Sequence, residues 1–146
     1  MTAAAINPGV YMQARRKAIL CLCYDRTVLQ VRQMLLEHFG YTVLPTSSAE
    51  DAKSVAGDSC PDMLLMDNTQ PGIDFEQLAE QVKKACPTTL TVVLSHYFGI
   101  RPGSCGYVDR FVAKDDGPGA LIAQIAELFR QRPERSDSEP ASQAII

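Results

Sequence analysis

Short, continuous apolar runs alternate along this chain with longer stretches in which apolar residues recur every three or four positions. Ala18–Tyr24 (AILCLCY) is apolar throughout, the pattern of a strand covered on both faces. Val28, Val31, Leu35 and Phe39 then follow at helical spacing, and Gly40 marks the stop, because glycine accepts the left-handed backbone on which helices end. Tyr41–Leu44 reads as a short second strand. Ser47 with Glu50 three residues on has the form of a capping box, opening a helix that turns Ala49, Ala52, Val55 and Ala56 inward. Met63–Met66 (MLLM) is a third buried strand ending at Asp67, and Phe75, Leu78 and Val82 mark a helix closed before Pro87. Leu90–Leu94 (LTVVL) and Tyr107–Ala113 (YVDRFVA) give a fourth and a fifth strand. Pro118 suits a first helical turn, and Leu121, Ile122, Ile125, Leu128 and Phe129 continue it at helical spacing.

Strands alternating with helices predict the α/β class, a doubly wound five-stranded parallel sheet with helices on both faces. Sheets of this kind hold ligands beyond the carboxyl ends of their strands. That rule selects Tyr24–Asp25–Arg26 after strand one, Asp67–Asn68–Thr69 after strand three, Ser95–His96 after strand four and Lys114–Asp115–Asp116 after strand five.

Composition narrows the setting. The chain has 146 residues and a formal charge of −3, with 46% hydrophobic and 21% charged residues, which suits one globular domain and excludes wholesale disorder. Weak acidity argues against a protein that coats nucleic acid. No apolar run approaches the ~18 residues of a membrane span, and the first residues contain no apolar core of signal-peptide length, so the expected location is cytoplasmic. Residues 1–16 mix Ala, Asn, Pro, Gly and Gln without sustained periodicity, residues 132–146 are mostly polar, and both read as disordered tails around a folded domain at 17–131. The five cysteines show no zinc-type spacing and argue against a disulfide scaffold. Cys21 and Cys23 read as core residues, and Cys60, Cys86 and Cys105 fall at helix ends or in loops with no partner evident from spacing.

A carboxylate, a hydroxyl and an amine on one sheet edge suit phosphoryl chemistry. An aspartate can attack phosphorus to give an aspartyl phosphate. Lys114 and a divalent ion would neutralise the phosphoryl oxygens, and Ser95 would donate to one of them. Mg²⁺ needs few protein oxygens, which Asp25, Asp67 and the backbone carbonyl of Thr69 would supply. No glycine-rich phosphate loop follows strand one, so nucleotide binding lacks its usual signature.

From Ala18 to Arg130 the chain resembles the receiver domain of two-component response regulators, a flavodoxin-like fold. The resemblance rests on LLMDNTQPGID, with Asp67 at the phosphoacceptor position and Pro71–Gly72 in the loop that follows. It extends to Ser95 ending VVLS, Lys114 after FVA, Phe111 at the aromatic switch position, Pro118 in the final helix and HFGYTV before the second strand. It implies a phosphoprotein of a phosphorelay. Asp67 would accept a phosphoryl group from a histidine kinase or phosphotransfer protein with Mg²⁺ assistance, Lys114 would balance charge, and Ser95 and Phe111 would carry the switch. The length leaves no room for a DNA-binding output domain, so signalling would run through contact with a downstream protein rather than through catalysis.

Three departures from the pattern stand out. Where the family carries an acidic pair after strand one, this chain has Cys23–Tyr24 or, one residue later, Tyr24–Asp25. Asp115 follows the lysine where proline is usual, and Asp115 or Asp116 could supply part of the missing charge. Between Ser95 and Lys114 the segment is short and carries Gly99, Pro102, Gly103 and Gly106, so the helix expected there is shortened or replaced by a loop. These departures leave a second reading, a degenerate receiver acting as a phosphorylation-independent interaction module. A third is an aspartyl-phosphate phosphatase, against which Thr69 stands where a second aspartate would serve as acid and base.

Overall fold

The structure is a computed structural model and describes residues 16–67, 74–95 and 106–131. Five parallel strands form one sheet: β1 (Ala18–Leu22), β2 (Thr42–Thr46), β3 (Met63–Asp67), β4 (Leu90–Ser95) and β5 (Arg110–Ala113), in the order β2-β1-β3-β4-β5. Four α-helices accompany them among the described residues: α1 (Arg26–His38), α2 (Ala49–Ser59), α3 (Phe75–Ala85) and α4 (Gly117–Gln131). The predicted class, strand number and winding are therefore those observed. No helix among the described residues is long and apolar enough to cross a membrane.

The continuous apolar strands become the middle layer because both of their faces are covered. Alternate residues point to opposite sides, and the core divides accordingly. On one face Ile19, Cys21, Met63, Leu65, Val92 and Leu94 pack against Leu29 and Leu36 of α1 and Leu121, Ile125 and Leu128 of α4. On the other, Leu20, Leu22, Leu64, Met66 and Val93 meet Ala52 and Ala56 of α2 and Leu78, Ala79 and Val82 of α3. Full burial of a Leu- or Met-sized side chain contributes ~1.5–3 kcal/mol, so the central strands account for much of the cohesion.

Helix ends follow local chemistry. Asp25 caps α1, its Oδ1 accepting from the backbone N–H of Thr27 and Val28 at 2.9 and 3.1 Å, and Asp74 caps α3 through Gln77 N–H at 3.0 Å. Gly40 leaves α1 with φ +97°, a conformation costly for any residue with a Cβ. The α2 cap lies one residue beyond the sequence expectation. Ser48, rather than Ser47, accepts from Asp51 N–H at 3.1 Å, since an acidic residue at the third helical position suits this site as well as Glu50 suits the other.

Two points left open by spacing are settled by the packing. The stripe Val28–Val31–Leu35–Phe39 is not the buried face of α1: Val31 is 61% and Phe39 53% exposed, whereas Leu29 and Leu36 are buried. Both stripes have helical periodicity, and only the inner one faces the sheet. Cys60 and Cys86, for which spacing shows no partner, form a disulfide across 26 positions. Each is the residue that ends a helix, α2 or α3, and these helices lie side by side on one face, which brings their ends together. Cys21 and Cys23 are buried free thiols, as expected of core residues. The helix expected between β4 and β5 falls mostly on residues 96–105, which lie outside the described residues, as do His96, Cys105 and nearly all of both tails.

Candidate functional site

Register decides what meets at the carboxyl edge of the sheet. Asp67 pairs with Leu94 and Ser95 with Ala113, so Asp67, Ser95 and Lys114 end three adjacent strands at nearly one level. Lys114 opens a short 3-10 turn, Lys114–Asp116, that leads into α4. The Asp67 side chain is 1% exposed, and a carboxylate so far from water needs close positive partners.

It has two. Lys114 Nζ donates to Oδ1 at 2.6 Å, and Arg32 Nη1 donates to Oδ2 at 3.1 Å. Both cations are themselves largely sheltered, with 14% and 13% of their side chains exposed. Cys23, the first residue after β1, brings its Sγ to 3.5 Å from Oδ2. Burial first, and then the negative charge of Asp67, pushes the Cys23 thiol up, so it faces the carboxylate as a protonated, weak donor. Burial pushes Cys21, two residues earlier, up to about 12. The resulting constellation is one carboxylate held between a lysine and an arginine, with two neutral thiols behind them.

The other residues singled out from the sequence are distributed unevenly. Ser95 is buried at the carboxyl end of β4, between the strands of Asp67 and Lys114. Phe111 lies on β5 opposite Val93, half-buried against the cluster of α2 and α3. Asp115 and Asp116 are exposed in the 3-10 turn. Asp25 is exposed, with Oδ1 engaged in capping α1. Thr69 lies outside the described residues. Arg32 was not foreseen, although its signal is present: it shares the inward face of α1 with Leu29 and Leu36 at spacings of three and four, a lone charge in an apolar stripe.

The described residues do not fit a divalent ion. Both oxygens of Asp67 accept from cationic side chains, Asp25 serves the helix terminus, and the positions expected to carry acids hold a thiol and the 62% exposed Tyr24. Among the described residues no group of three or more His, Cys, Asp or Glu side chains is arranged to hold a metal. Beside the two cations, a groove of about 480 Å³ runs between α1 and α4, with Val28, Val31, Leu35, Pro118 and Leu121 along its walls.

No family model and no curated protein matches the sequence. Solved structures do match the fold, which is that of CheY-like response regulator receiver domains. One is the CheY-like receiver domain protein of Methanospirillum hungatei, 21% identical, with 80% of this chain and 95% of that one covered at a TM-score of 0.69. Another is the response regulator TrrA of Thermotoga maritima, solved with Mg²⁺ and BeF, 21% identical, with 77% of this chain and 98% of that one covered at a TM-score of 0.68. The adenylate cyclase of Rhodopirellula baltica is similar to the same extent: 20% identity, coverage of 80% and 89%, and a TM-score of 0.70.

Proposed function

We propose that this chain is a response-regulator receiver protein in which Asp67 is the phosphoacceptor of a phosphorelay. The observation that carries the reading is the Asp67 carboxylate at the end of the third strand with Lys114 Nζ 2.6 Å from Oδ1. A carboxylate oxygen forms the new O–P bond while the P–N bond of a phosphohistidine donor breaks. The electron pair leaves with the imidazole, which takes up a proton. Lys114 offsets the added negative charge, and the Ser95 hydroxyl donates to a phosphoryl oxygen. The donor is a histidine kinase or a phosphotransfer protein, and the output is contact with a downstream protein, to which Ser95 and Phe111 relay the change. The signalling is cytoplasmic and runs through protein contacts rather than through DNA binding.

Incubation with acetyl phosphate, followed by intact mass, tests this. The expected result is a gain of one phosphoryl group that disappears in Asp67→Asn. No gain by folded protein, with or without Mg²⁺, overturns the reading. A second reading, a phosphorylation-independent interaction module, draws on the two cations that already neutralise Asp67, and that negative result is the one it expects.

A further inference from the structure

The two cations on Asp67 differ in origin. Lys114 stands where the receiver resemblance expects a lysine, whereas Arg32 reaches in from the middle of α1 and matches no expected site residue. It bonds the same oxygen, Oδ2, that Cys23 approaches, and Cys23–Tyr24 occupies the place of the expected acidic pair. At one point in the site, therefore, a carboxylate has been lost and a fixed positive charge gained.

We propose that the Arg32 guanidinium is the resident cation of this site, taking the part of a divalent metal ion, so that Asp67 accepts a phosphoryl group without magnesium and the folded site excludes the metal. The phosphoryl half of this inference rests on Asp67 being a phosphoacceptor; the exclusion half does not.

Three features argue for it. A divalent ion bound to Oδ2 would have to displace Arg32 or lie against its positive charge, and the described residues group no further acids there to offset the repulsion. A guanidinium stays charged at every physiological pH and presents five N–H donors in a planar fork that matches phosphoryl oxygens. Bonded to Oδ2, Arg32 stands where oxygens of a group added to that carboxylate would emerge. Finally, a cation on the apolar face between Leu29 and Leu36 is costly unless paired, so its placement is explained by Asp67 and not by packing.

With acetyl phosphate the step balances within the site: the Asp67 oxygen bonds phosphorus, the P–O bond to the acetyl group breaks, and acetate leaves with the electron pair. The test uses the full chain with acetyl phosphate, once in EDTA and once in excess Mg²⁺, together with calorimetric titration by Mn²⁺. The expected result is a mass gain at the same rate, within about twofold, in both media. Arg32→Gln is expected to lower the EDTA rate by about a hundredfold, to recover with Mg²⁺, and to bind Mn²⁺ more tightly than wild type. Arg32→Lys, which keeps the charge, is expected to retain the metal-free reaction, and Arg32→Met serves as the uncharged variant if Arg32→Gln does not fold. A wild-type reaction that requires Mg²⁺ overturns the inference while leaving the phosphoacceptor standing. Should no mass gain occur in any medium, the phosphoacceptor reading fails and the Mn²⁺ titration decides the rest. Weaker binding by wild type than by Arg32→Gln, or than by Arg32→Met if Arg32→Gln does not fold, supports exclusion by Arg32, and equal binding overturns it.

Discussion

Arg32 Nη1 lies 3.1 Å from Asp67 Oδ2, joining the middle of the first helix to the end of the third strand. Together with Lys114 on the other oxygen, this makes the buried carboxylate the centre of a three-residue ion network. Such networks are worth little as net stabilisers, but removing their common member leaves charges stranded in a sheltered place.

Asp67→Ala is therefore expected to cost about 2–4 kcal/mol, because both cations lose their partner and neither is well hydrated. Urea denaturation gives the figure. In a double-mutant cycle Arg32→Gln should be less damaging in the Asp67→Ala background than in wild type, with a coupling of about 1 kcal/mol or more. Additive costs would show that the contact carries no energy.

Asp25 separates two roles that the sequence leaves open. As a helix cap only, its replacement by alanine is expected to lower stability by about 1 kcal/mol and to leave the metal response of Asp67 modification unchanged. A shift in Mg²⁺ dependence in Asp25→Ala would instead assign it to an ion.

The Cys60–Cys86 disulfide closes a loop across 26 positions, and on chain-entropy grounds opening it removes about 3–4 kcal/mol. Reductant should lower the urea midpoint of wild type and leave Cys60→Ser unaffected. The bond ties the ends of α2 and α3, elements that do not supply Arg32, Asp67 or Lys114, so acetyl-phosphate reactivity in native buffer should persist after reduction.

Burial raises the Cys21 thiol to about 12 and that of Cys23 in the same direction. An unfolded chain loses these protons near the ordinary thiol value, so above it the folded state binds more protons. Stability is thus fully present below pH ~8.5 and falls as pH rises from there toward about 12, by up to ~1.4 kcal/mol per pH unit for Cys21, with Cys23 adding in the same direction. Denaturation midpoints across this window should show the decline, and Cys21→Ala should make it shallower. Iodoacetamide should reach neither thiol appreciably in native protein at pH 8.

The fold was legible because buried parallel strands write themselves as unbroken apolar runs, AILCL, MLLM and LTVVL, which few other structures produce. Asp67 and Ser95 are placed at the sheet edge by the same logic, since each ends such a run, and Lys114 follows the shorter run FVA. Arg32 was not, because Val28, Val31, Leu35 and Phe39 form a helical stripe as regular as the inward one, and a stripe does not say which way it faces. Once the phase is set by Leu29 and Leu36, the arginine between them is conspicuous. The Cys60–Cys86 pair escaped notice for a related reason: 26 positions of sequence say nothing until two helices are laid side by side. In Ser47 and Ser48 two equally good caps stood in succession, and only the backbone distinguishes them.

The first helix is seated lightly. It buries only Leu29 and Leu36 completely and turns Val31 and Met34 outward, 61% and 65% exposed, so its ion pair is a substantial part of its hold on the sheet. Charge placed on or removed from Asp67 then alters how firmly α1 is seated, and amide exchange across Arg26–His38 should quicken in Asp67→Ala. Linkage runs both ways: whatever grips the outer side of this helix also changes how firmly Arg32 holds Asp67. A side chain recruited to balance one carboxylate thereby becomes a lever, with its fulcrum in the core and its handle in solvent.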